Sequence, residues 1–366
     1  MSFQCGIVGL PNVGKSTLFN ALTESAIPAE NYPFCTIEPH IGIVELPDIR
    51  LKNLAKIYCP EKITPATVEF IDIAGLVKGA SKGEGLGNQF LGQIRQTSAI
   101  LHVVRCFDDK NITHVDGSID PVRDVETIET ELLLADIITI EKKKHKVEKL
   151  ARSGDKEAKG SLYILNLLLE HCSDGNAARL LEVDNEYNEF KRSLHLLTEK
   201  PVLYIANTAE VEAMEGNAGK HVRSLEEYAS KENNVVISLC SSIEQEIALL
   251  KEEEKPIFLQ EYGLSEPGLD KVIRSSFKLL GLQNFFTCGE KEVKSWTISK
   301  GSTAPQAAGN IHSDFERGFI KADTFHYTDL IENGSEKALK ELGLIRQEGK
   351  DYIVKDGDCI FFKFNV

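Results

Sequence analysis

One short segment near the N-terminus limits the possible folds of this 366-residue chain more than any other feature. Residues 9–16 read GLPNVGKS, which fits the phosphate-binding pattern G-x-x-x-x-G-K-[ST]. The segment follows the apolar run 4–8 and opens the helical pattern 15–23, which is the strand-loop-helix context that the pattern requires. The sequence therefore predicts an α/β fold with a doubly wound, mostly parallel sheet and a site for nucleotide phosphates after its first strand.

The residue types in this loop suit a triphosphate bound together with Mg²⁺. Inward-turned backbone N–H groups and the positive end of the following helix both attract phosphate oxygens. Lys15 is expected to reach the outer phosphates as a catalytic group, and the Ser16 hydroxyl is expected to ligate Mg²⁺. The residues of this loop that are predicted to bind the nucleotide are Asn12, Val13, Gly14, Lys15, Ser16 and Thr17.

Residues 72–75, which read DIAG, predict the second part of the site. They follow the strand-like run 67–72, and an aspartate at such a strand end holds Mg²⁺ in nucleotide-dependent switch proteins. Asp72 is therefore a predicted metal ligand, and the N–H group of Gly75 is predicted to contact the γ-phosphate.

A threonine between these two motifs is expected to complete the Mg²⁺ shell only when the γ-phosphate is present. Thr36 is the candidate, because it lies in the polar segment 28–39. Thr23 falls within the first helical pattern, and Thr64 lies too close to the next strand. The predicted metal ligands are thus Ser16, Thr36 and Asp72.

The rest of the chain predicts three domains. Strand-like runs alternate with helical patterns in residues 1–120 and 199–283, which predicts a P-loop nucleotide-binding domain. Residues 121–198 are helical and charged, with a narrow apolar stripe and a turn at 152–154, and they predict an inserted helical hairpin or arm. An ordinary helical subdomain is the alternative. Residues 284–366 mix short strands, helices and glycine turns, which predicts a small α+β domain.

The segment after the strand-like run 202–207 bears on which base is bound. Guanine specificity normally needs the pattern N-K-x-D here, whereas residues 207–210 read NTAE. Thr208 lacks the lysine stem that covers the base, and Glu210 is one methylene longer than aspartate. Asn207 is expected to pair with N6 and N7 of adenine. These three residues are therefore predicted to contact the base and to favour ATP, with relaxed GTP binding as the alternative.

Leu76 occupies the position where related switch proteins use a glutamine to orient water, so slow hydrolysis is expected. His114 is the catalytic candidate in its place, because it lies in the polar loop 108–121 after the fourth strand. A surface histidine without a catalytic role is the alternative.

Asn12 also raises the question of K⁺ beside the phosphates, with the asparagine side chain as an oxygen ligand.

The loop 9–16, the segment 72–75 and the glycine-rich stretch 79–88 together resemble the Obg-related GTPases, and within them the YchF, or Obg-like ATPase, subfamily. The resemblance extends over essentially the whole chain. It implies a ubiquitin-like β-grasp fold for the C-terminal domain, use of ATP at least as well as GTP, and association with the ribosome or its large subunit. The segments that are similar to the TGS domain of this subfamily are 296–298, 301–308, 311–315 and 356–358.

Charge and hydropathy indicate whether this protein is expected to bind nucleic acid or a membrane. The net charge of −14 argues against general nucleic-acid binding, and nothing predicts sequence-specific DNA binding, although five lysines cluster between 142 and 149. The sequence has no apolar run of the length that spans a bilayer, and its N-terminus lacks a secretory signal. A cytoplasmic location without a membrane partner is expected.

These patterns predict an Mg²⁺-dependent ATP hydrolase, with GTP as a weaker substrate, that acts as a ribosome-associated switch. Two alternatives remain open at this point. The first is a GTP-specific ribosome-assembly GTPase. The second is a regulatory protein whose shape depends on the bound nucleotide and for which hydrolysis is incidental.

Overall fold

The structure is a computed structural model, and it forms two compact units. The first unit comprises Met1–Val44 and Glu69–Val272, and the second comprises Glu45–Val68 and Ile273–Val366. The residues that the structure describes are 3–24, 40–73, 86–109, 111–115, 117–215 and 219–365.

Short strands and helices follow one another closely along the chain. The strands within the described residues are β1 (Gln4–Val8), β2 (Ile41–Glu45), β3 (Lys62–Thr64), β4 (Thr67–Asp72), β5 (Ala99–Arg105), β6 (Val202–Asn207), β7 (Val235–Leu239), β8 (Leu282–Cys288), β9 (Glu292–Ser299), β10 (Phe319–His326), β11 (Arg346–Glu348) and β12 (Asp358–Phe364). The α-helices within the same residues are α1 (Lys15–Glu24), α2 (Ile49–Tyr58), α3 (Leu86–Gln96), α4 (Pro121–Arg152), α5 (Lys156–Ser173), α6 (Asn188–Ser193), α7 (Glu210–Glu215), α8 (Lys220–Ser230), α9 (Ser241–Leu249), α10 (Lys255–Glu261), α11 (Gly268–Leu279), α12 (Ala304–Ile311), α13 (Ser313–Arg317), α14 (Tyr327–Asn333) and α15 (Glu336–Glu341). None of these helices combines the length and the apolar character needed to cross a membrane.

The first unit is built on a six-stranded sheet in the order β2-β4-β1-β5-β6-β7. β1 pairs in parallel with β4 on one side and with β5 on the other, and β6 pairs in parallel with β5 and β7. β5 and β6 are buried along their whole length, as expected for strands covered on both faces. The predicted parallel sheet is therefore confirmed. Because β4 and β5 lie on opposite sides of β1, a crevice for ligands forms at the carboxyl ends of these strands.

The predicted helical hairpin is formed by α4 and α5, which are joined by a turn at 153–155. α4 has 32 residues and is about 48 Å long at 1.5 Å per residue. Val125 and Ile128 lie in the first turns of α4, which pack against β5 and α8. Ile140 and Val147 lie farther along and pack in a cluster with buried residues of α5. The apolar stripe of α4 thus packs against β5 and α8 in its first turns and against α5 farther along.

The second unit contains a mixed sheet in the order β11-β10-β12-β8-β9-β3. β8 pairs in parallel with β12 and antiparallel with β9, while β10 pairs antiparallel with β11 and β12. The helix α12 connects β9 to β10 and buries Ala304, Ala307 and Ala308. The five strands from β8 to β12 therefore have β-grasp topology, as the resemblance implies.

The predicted domain boundaries need two corrections. The sequence assigns residues 45–68 to the nucleotide-binding domain, but the structure places them in the second unit. β3 extends the second sheet by pairing with β9, and Leu51 and Leu54 of α2 pack with Phe286. The boundary between 283 and 284 falls inside β8. An amphipathic helix such as α2 shows in its sequence that it has an apolar face, but not which surface covers it.

Candidate phosphate-binding site

The glycine-rich loop lies directly between β1 and α1, where its backbone adopts conformations that suit few residue types. Asn12 has φ +62° and Gly14 has φ +94°, both in the left-handed region. A Cβ atom at Gly14 would also collide with the side-chain amide of Asn207. The amide N–H of Leu18 donates to the Gly14 carbonyl at 2.9 Å, which starts the helix immediately after the loop. The backbone conformation and the contact with Asn207 therefore both require glycine at position 14.

Lys15 and Asp72 bring the two predicted motifs together across neighbouring strands. The Lys15 Nζ atom lies 2.6 Å from Asp72 Oδ1, and the two side chains are 11% and 16% exposed. Asp72 ends β4, and Ser16 follows Lys15 in the first turn of α1, with an exposed side chain. A hydroxyl oxygen and a carboxylate oxygen are the donor types that Mg²⁺ prefers, so the described residues fit this ion. The ion pair must rearrange when Asp72 approaches a metal.

The side-chain amide of Asn207 is buried and hydrogen-bonded within the protein. Its side chain is 4% exposed, its Nδ2 atom donates to the Val13 carbonyl at 2.9 Å, and its Oδ1 atom accepts from the Ser241 N–H group at 2.9 Å. Asn207 therefore links the phosphate-binding loop to the start of α9. An amide NH2 group has a second hydrogen to donate and an amide oxygen has a second lone pair, so the predicted pairing of Asn207 with adenine stays a prediction. No local sequence pattern indicates these long-range bonds.

Thr208 and Glu210 remain beside the region where a base is expected. Thr208 is 3% exposed, and its Oγ1 atom lies 3.3 Å from the Leu239 carbonyl. Its side chain therefore faces the end of β7. Glu210 begins α7, and its Oε1 atom lies 3.5 Å from Ser242 Oγ in the first turn of α9. A carboxylate at this place is compatible with the predicted base contact, which stays a prediction.

Arg105 is a structural residue that the sequence analysis missed. It ends β5 and is 1% exposed, and its guanidinium group donates to the carbonyls of Phe107, Asp109 and Ile112 at 3.0–3.2 Å. These bonds shape the loop that follows β5. An arginine at the end of an otherwise apolar strand is the signal that could have identified it.

The loop after β5 reaches the phosphate-binding loop. The Nδ2 atom of Asn12 donates to the Thr113 carbonyl at 3.2 Å. The next residue, His114, lies with its Nε2 atom 2.8 Å from Asp124 Oδ2 in the first turn of α4. The side chains of His114 and Asp124 are 5% and 2% exposed. The imidazole is therefore not at the surface, because it is buried and bound to a buried carboxylate. The catalytic role of His114 stays a prediction.

Several predicted residues fall outside the described part of the chain. They are Thr36, Gly75 and Leu76. His102 lies within β5, where burial lowers its pKa to about 4. It is therefore neutral at physiological pH.

Comparison with known proteins places this geometry in a family. Residues 4–135 match the family described as a 50S ribosome-binding GTPase, and residues 282–365 match YchF-GTPase_C, described as a protein of unknown function (DUF933). The chain is 54% identical to the ribosome-binding ATPase YchF of Bacillus subtilis (strain 168) over 366 residues, with all of both chains covered. The chain belongs to the YchF family.

Two further comparisons agree with this membership. The ribosome-binding ATPase YchF of Escherichia coli O157:H7 is 55% identical over 366 residues, again with all of both chains covered. The structure of the Schizosaccharomyces pombe YchF GTPase is 37% identical, with a TM-score of 0.90 over 99% of this chain and 98% of that one. The predicted family and fold class are thus confirmed for this YchF-family protein. P-loop ATPases and GTPases generally use Mg²⁺.

Proposed function

We propose that this protein hydrolyses ATP, and GTP more weakly, as an Mg²⁺-dependent switch that associates with the ribosome. The observation that carries the proposal is the meeting of Lys15 with Asp72 at the carboxyl ends of β1 and β4. A phosphate-binding lysine and a metal-binding carboxylate at this place serve phosphoryl transfer to water. The ribosome as partner, and with it a cytoplasmic location, is supported by the relatives, which are ribosome-binding ATPases.

The roles of the described residues follow from general phosphoryl-transfer chemistry. Ser16 and Asp72 would hold the Mg²⁺ ion, together with Thr36, and the ion would neutralise charge on the phosphate oxygens. The backbone of Val13, Gly14 and Thr17 would surround the phosphates at the positive end of α1. Lys15 would turn from Asp72 towards the outer phosphates.

The preference for ATP is supported by what the base region contains. Thr208 faces β7 and supplies no stem to cover a guanine, and Glu210 stands where a shorter aspartate reads guanine. Adenine has a hydrogen-bond acceptor at N1. A carboxylate at this place therefore stabilises bound guanine but not bound adenine. The preference therefore rests on lost guanine contacts, together with the predicted pairing of Asn207 with adenine.

Phosphate release from ATP and GTP, with and without ribosomes, tests the function. We expect slow ATP turnover that ribosomes accelerate, with a lower kcat/KM for GTP. Matched KCl and NaCl buffers test the K⁺ prediction for Asn12, whose Nδ2 atom is engaged with Thr113. A clear GTP preference would favour a ribosome-assembly GTPase. Partner binding that depends on nucleotide without any change in turnover would favour the regulatory protein.

We also propose that the bond between His114 and Asp124 holds the catalytic histidine in a resting position. While the Nε2 atom of His114 is bound to the buried carboxylate of Asp124, this nitrogen is not available to orient a water molecule. Asp124 lies in α4, the first helix of the hairpin, so movement of that helix would act directly on the bond. Hydrolysis would then depend on release of His114 from Asp124.

His114→Ala is expected to lower kcat for ATP by about 100-fold, the lower end of the usual contribution from a general base, with an unchanged nucleotide Kd. Asp124→Asn is expected to raise the basal kcat, because it removes the charge that retains the imidazole. The exposed His145 provides the matched control, and His145→Ala should leave kcat unchanged. Unchanged turnover in His114→Ala would reject the catalytic role, and a lowered kcat in Asp124→Asn would instead make Asp124 an orienting group.

A further inference from the structure

We propose that a pocket at the amino ends of β5 and β6 binds a small molecule that carries a phosphate group. The pocket, here called the basic pocket, has a volume of about 460 Å³, which suits a small molecule. Its lining comes from the residues that directly precede these two strands and from the segment 179–200. The charged or titratable residues that line it are Arg179, Lys191, Arg192, His195, Glu199 and Lys200.

The basic pocket lies at the opposite end of the sheet from the phosphate-binding loop. Lys200 precedes β6, whereas Asn207 ends this strand and donates to the carbonyl of Val13 in the loop. β6 has six residues and is therefore about 20 Å long at roughly 3.3 Å per residue. A molecule in the basic pocket would therefore not compete directly with the nucleotide.

Lys191 and Lys200 place two ammonium groups in the basic pocket, and both are bonded to backbone carbonyls. Lys191 is 7% exposed, and its Nζ atom donates to the Leu181 carbonyl at 2.6 Å. The Nζ atom of Lys200 donates to the carbonyls of Arg95, at 3.2 Å, and Thr97. No carboxylate of the described residues lies within 4.0 Å of either ammonium group. Because an ammonium group has three hydrogens, each lysine retains a donor for a ligand.

Arg192 is the lining residue whose donors are all available. Its side chain is exposed, and its guanidinium group forms no hydrogen bond or ion pair with the residues that the structure describes. A guanidinium group matches phosphate oxygens with two parallel hydrogen bonds. Arg192 is therefore the residue that we expect to bind the phosphate most directly.

The positive charge that lines the basic pocket exceeds the negative charge. The guanidinium of Arg179 is already held by two carboxylates, so it is not counted here. Lys191, Arg192 and Lys200 are then opposed by one carboxylate of the lining, that of Glu199. Two positive charges remain, and a phosphate dianion balances both, whereas a carboxylate ligand balances one.

The pKa directions agree with this shortage of negative charge. Desolvation lowers the pKa values of Lys191 and Lys200, because burial penalises each ammonium group more than nearby carboxylates stabilise it. A bound phosphate would place negative charge beside both groups and oppose the shift. A solvated basic surface differs in this respect, since water surrounds its ammonium groups.

Buried hydrogen bonds fix one wall of the basic pocket. The Asp136 carboxylate accepts the N–H groups of Leu197 and Thr198 at 2.7 and 2.8 Å, which holds the loop that carries His195 and Glu199. His195 has φ +49°, a left-handed conformation that few residues other than glycine adopt. This wall therefore does not have to form when a ligand arrives.

Calorimetric titration of the full-length protein with inorganic phosphate tests the proposal, with Mg²⁺ and a non-hydrolysable ATP analogue in the nucleotide site. Arg192→Ala is expected to weaken phosphate binding about 10-fold, the loss that follows removal of a charge-assisted hydrogen bond. The matched control is Arg223→Ala, which removes an exposed arginine from α8 in the same unit and should leave the affinity unchanged. Basal ATP turnover should equal that of the unaltered protein in both variants.

The thermal midpoint gives a second readout, because a ligand of the folded state raises it with occupancy. Phosphate should raise the midpoint of the unaltered protein more than that of Arg192→Ala. Equal phosphate affinities for Arg192→Ala and Arg223→Ala would overturn the proposal, and so would the lack of any phosphate effect in both measurements. Acetate binding as tight as phosphate would contradict the choice of ligand. Binding of a phosphoserine peptide without binding of inorganic phosphate would replace the small molecule by a phosphoprotein.

Discussion

Lys15→Ala is expected to lower kcat for ATP by about 100- to 1,000-fold, which is the usual loss when one electrostatic contact to the reacting oxygens is removed. Lys15 is the charged side chain of the phosphate-binding loop, and its Nζ atom already stands 2.6 Å from Asp72 Oδ1 at the carboxyl end of β4. Alanine would remove the positive charge from the outer phosphates and leave the Asp72 carboxylate without this partner. Single-turnover phosphate release separates this loss from slow product release.

The control for Lys15→Ala is Lys52→Ala, which removes an exposed lysine from α2 in the other unit. Its turnover should equal that of the unaltered protein. Lys15→Ala should keep its far-UV circular dichroism spectrum, since Lys15 contributes no apolar packing. A residual turnover above a tenth of the normal value would contradict the role of Lys15 and would place the chemistry elsewhere.

Arg179→Ala is expected to lower the free energy of unfolding of the first unit by about 3 kcal/mol, the typical loss when one partner of a largely buried ion pair is removed. The Arg179 guanidinium is 12% exposed and donates to Glu129 of α4 at 2.7 Å and to Glu232 after α8 at 3.0 Å. The carboxylates of Glu129 and Glu232, each 16% exposed, would be left facing each other without a cation. These contacts join α4 to the segments that follow α5 and α8.

Urea unfolding measures this loss, with circular dichroism at 222 nm as the probe for the helix-rich first unit. The single tryptophan, Trp296, lies in β9, so its fluorescence reports the second unit in the same sample. The matched control is Arg192→Ala in the neighbouring α6, an exposed arginine whose removal should change the free energy by less than about 0.5 kcal/mol. Equal urea midpoints for the two variants would show that the Arg179 ion pairs contribute no net stability.

Burial also raises the pKa values of several groups that no reaction uses. Desolvation raises the pKa of Asp136, whose carboxylate accepts the N–H groups of Leu197 and Thr198 at 2.7 and 2.8 Å. Desolvation likewise raises the pKa of Glu244, which accepts from the N–H group of Leu269 at 3.0 Å in the first turn of α11. Both groups hold backbone segments in place, so raised pKa values in this protein are not by themselves a sign of catalysis.

Local patterns in the sequence determined the elements that carry the phosphates. A glycine-rich loop between an apolar strand and a helix has few alternative conformations, so residues 9–16 and Asp72 could be placed before the structure was known. The limits of β1, β2, β4, β6 and β7 also follow from short apolar runs bounded by polar turns, and the hairpin follows from its period of 3.6. These features depend on neighbours within a few residues along the chain.

Contacts between distant residues decided the rest. The links from Asn207 to Val13 and Ser241, and from His114 to Asp124, are hydrogen bonds of buried polar groups, and each depends on how strands and helices pack. The transfer of residues 45–68 to the second unit depends on which apolar surface covers α2. A sequence states that a polar group must find a partner and that an apolar face must be covered. Only the tertiary structure determines which partner and which surface, because the free energy of burial has no preferred direction along the chain.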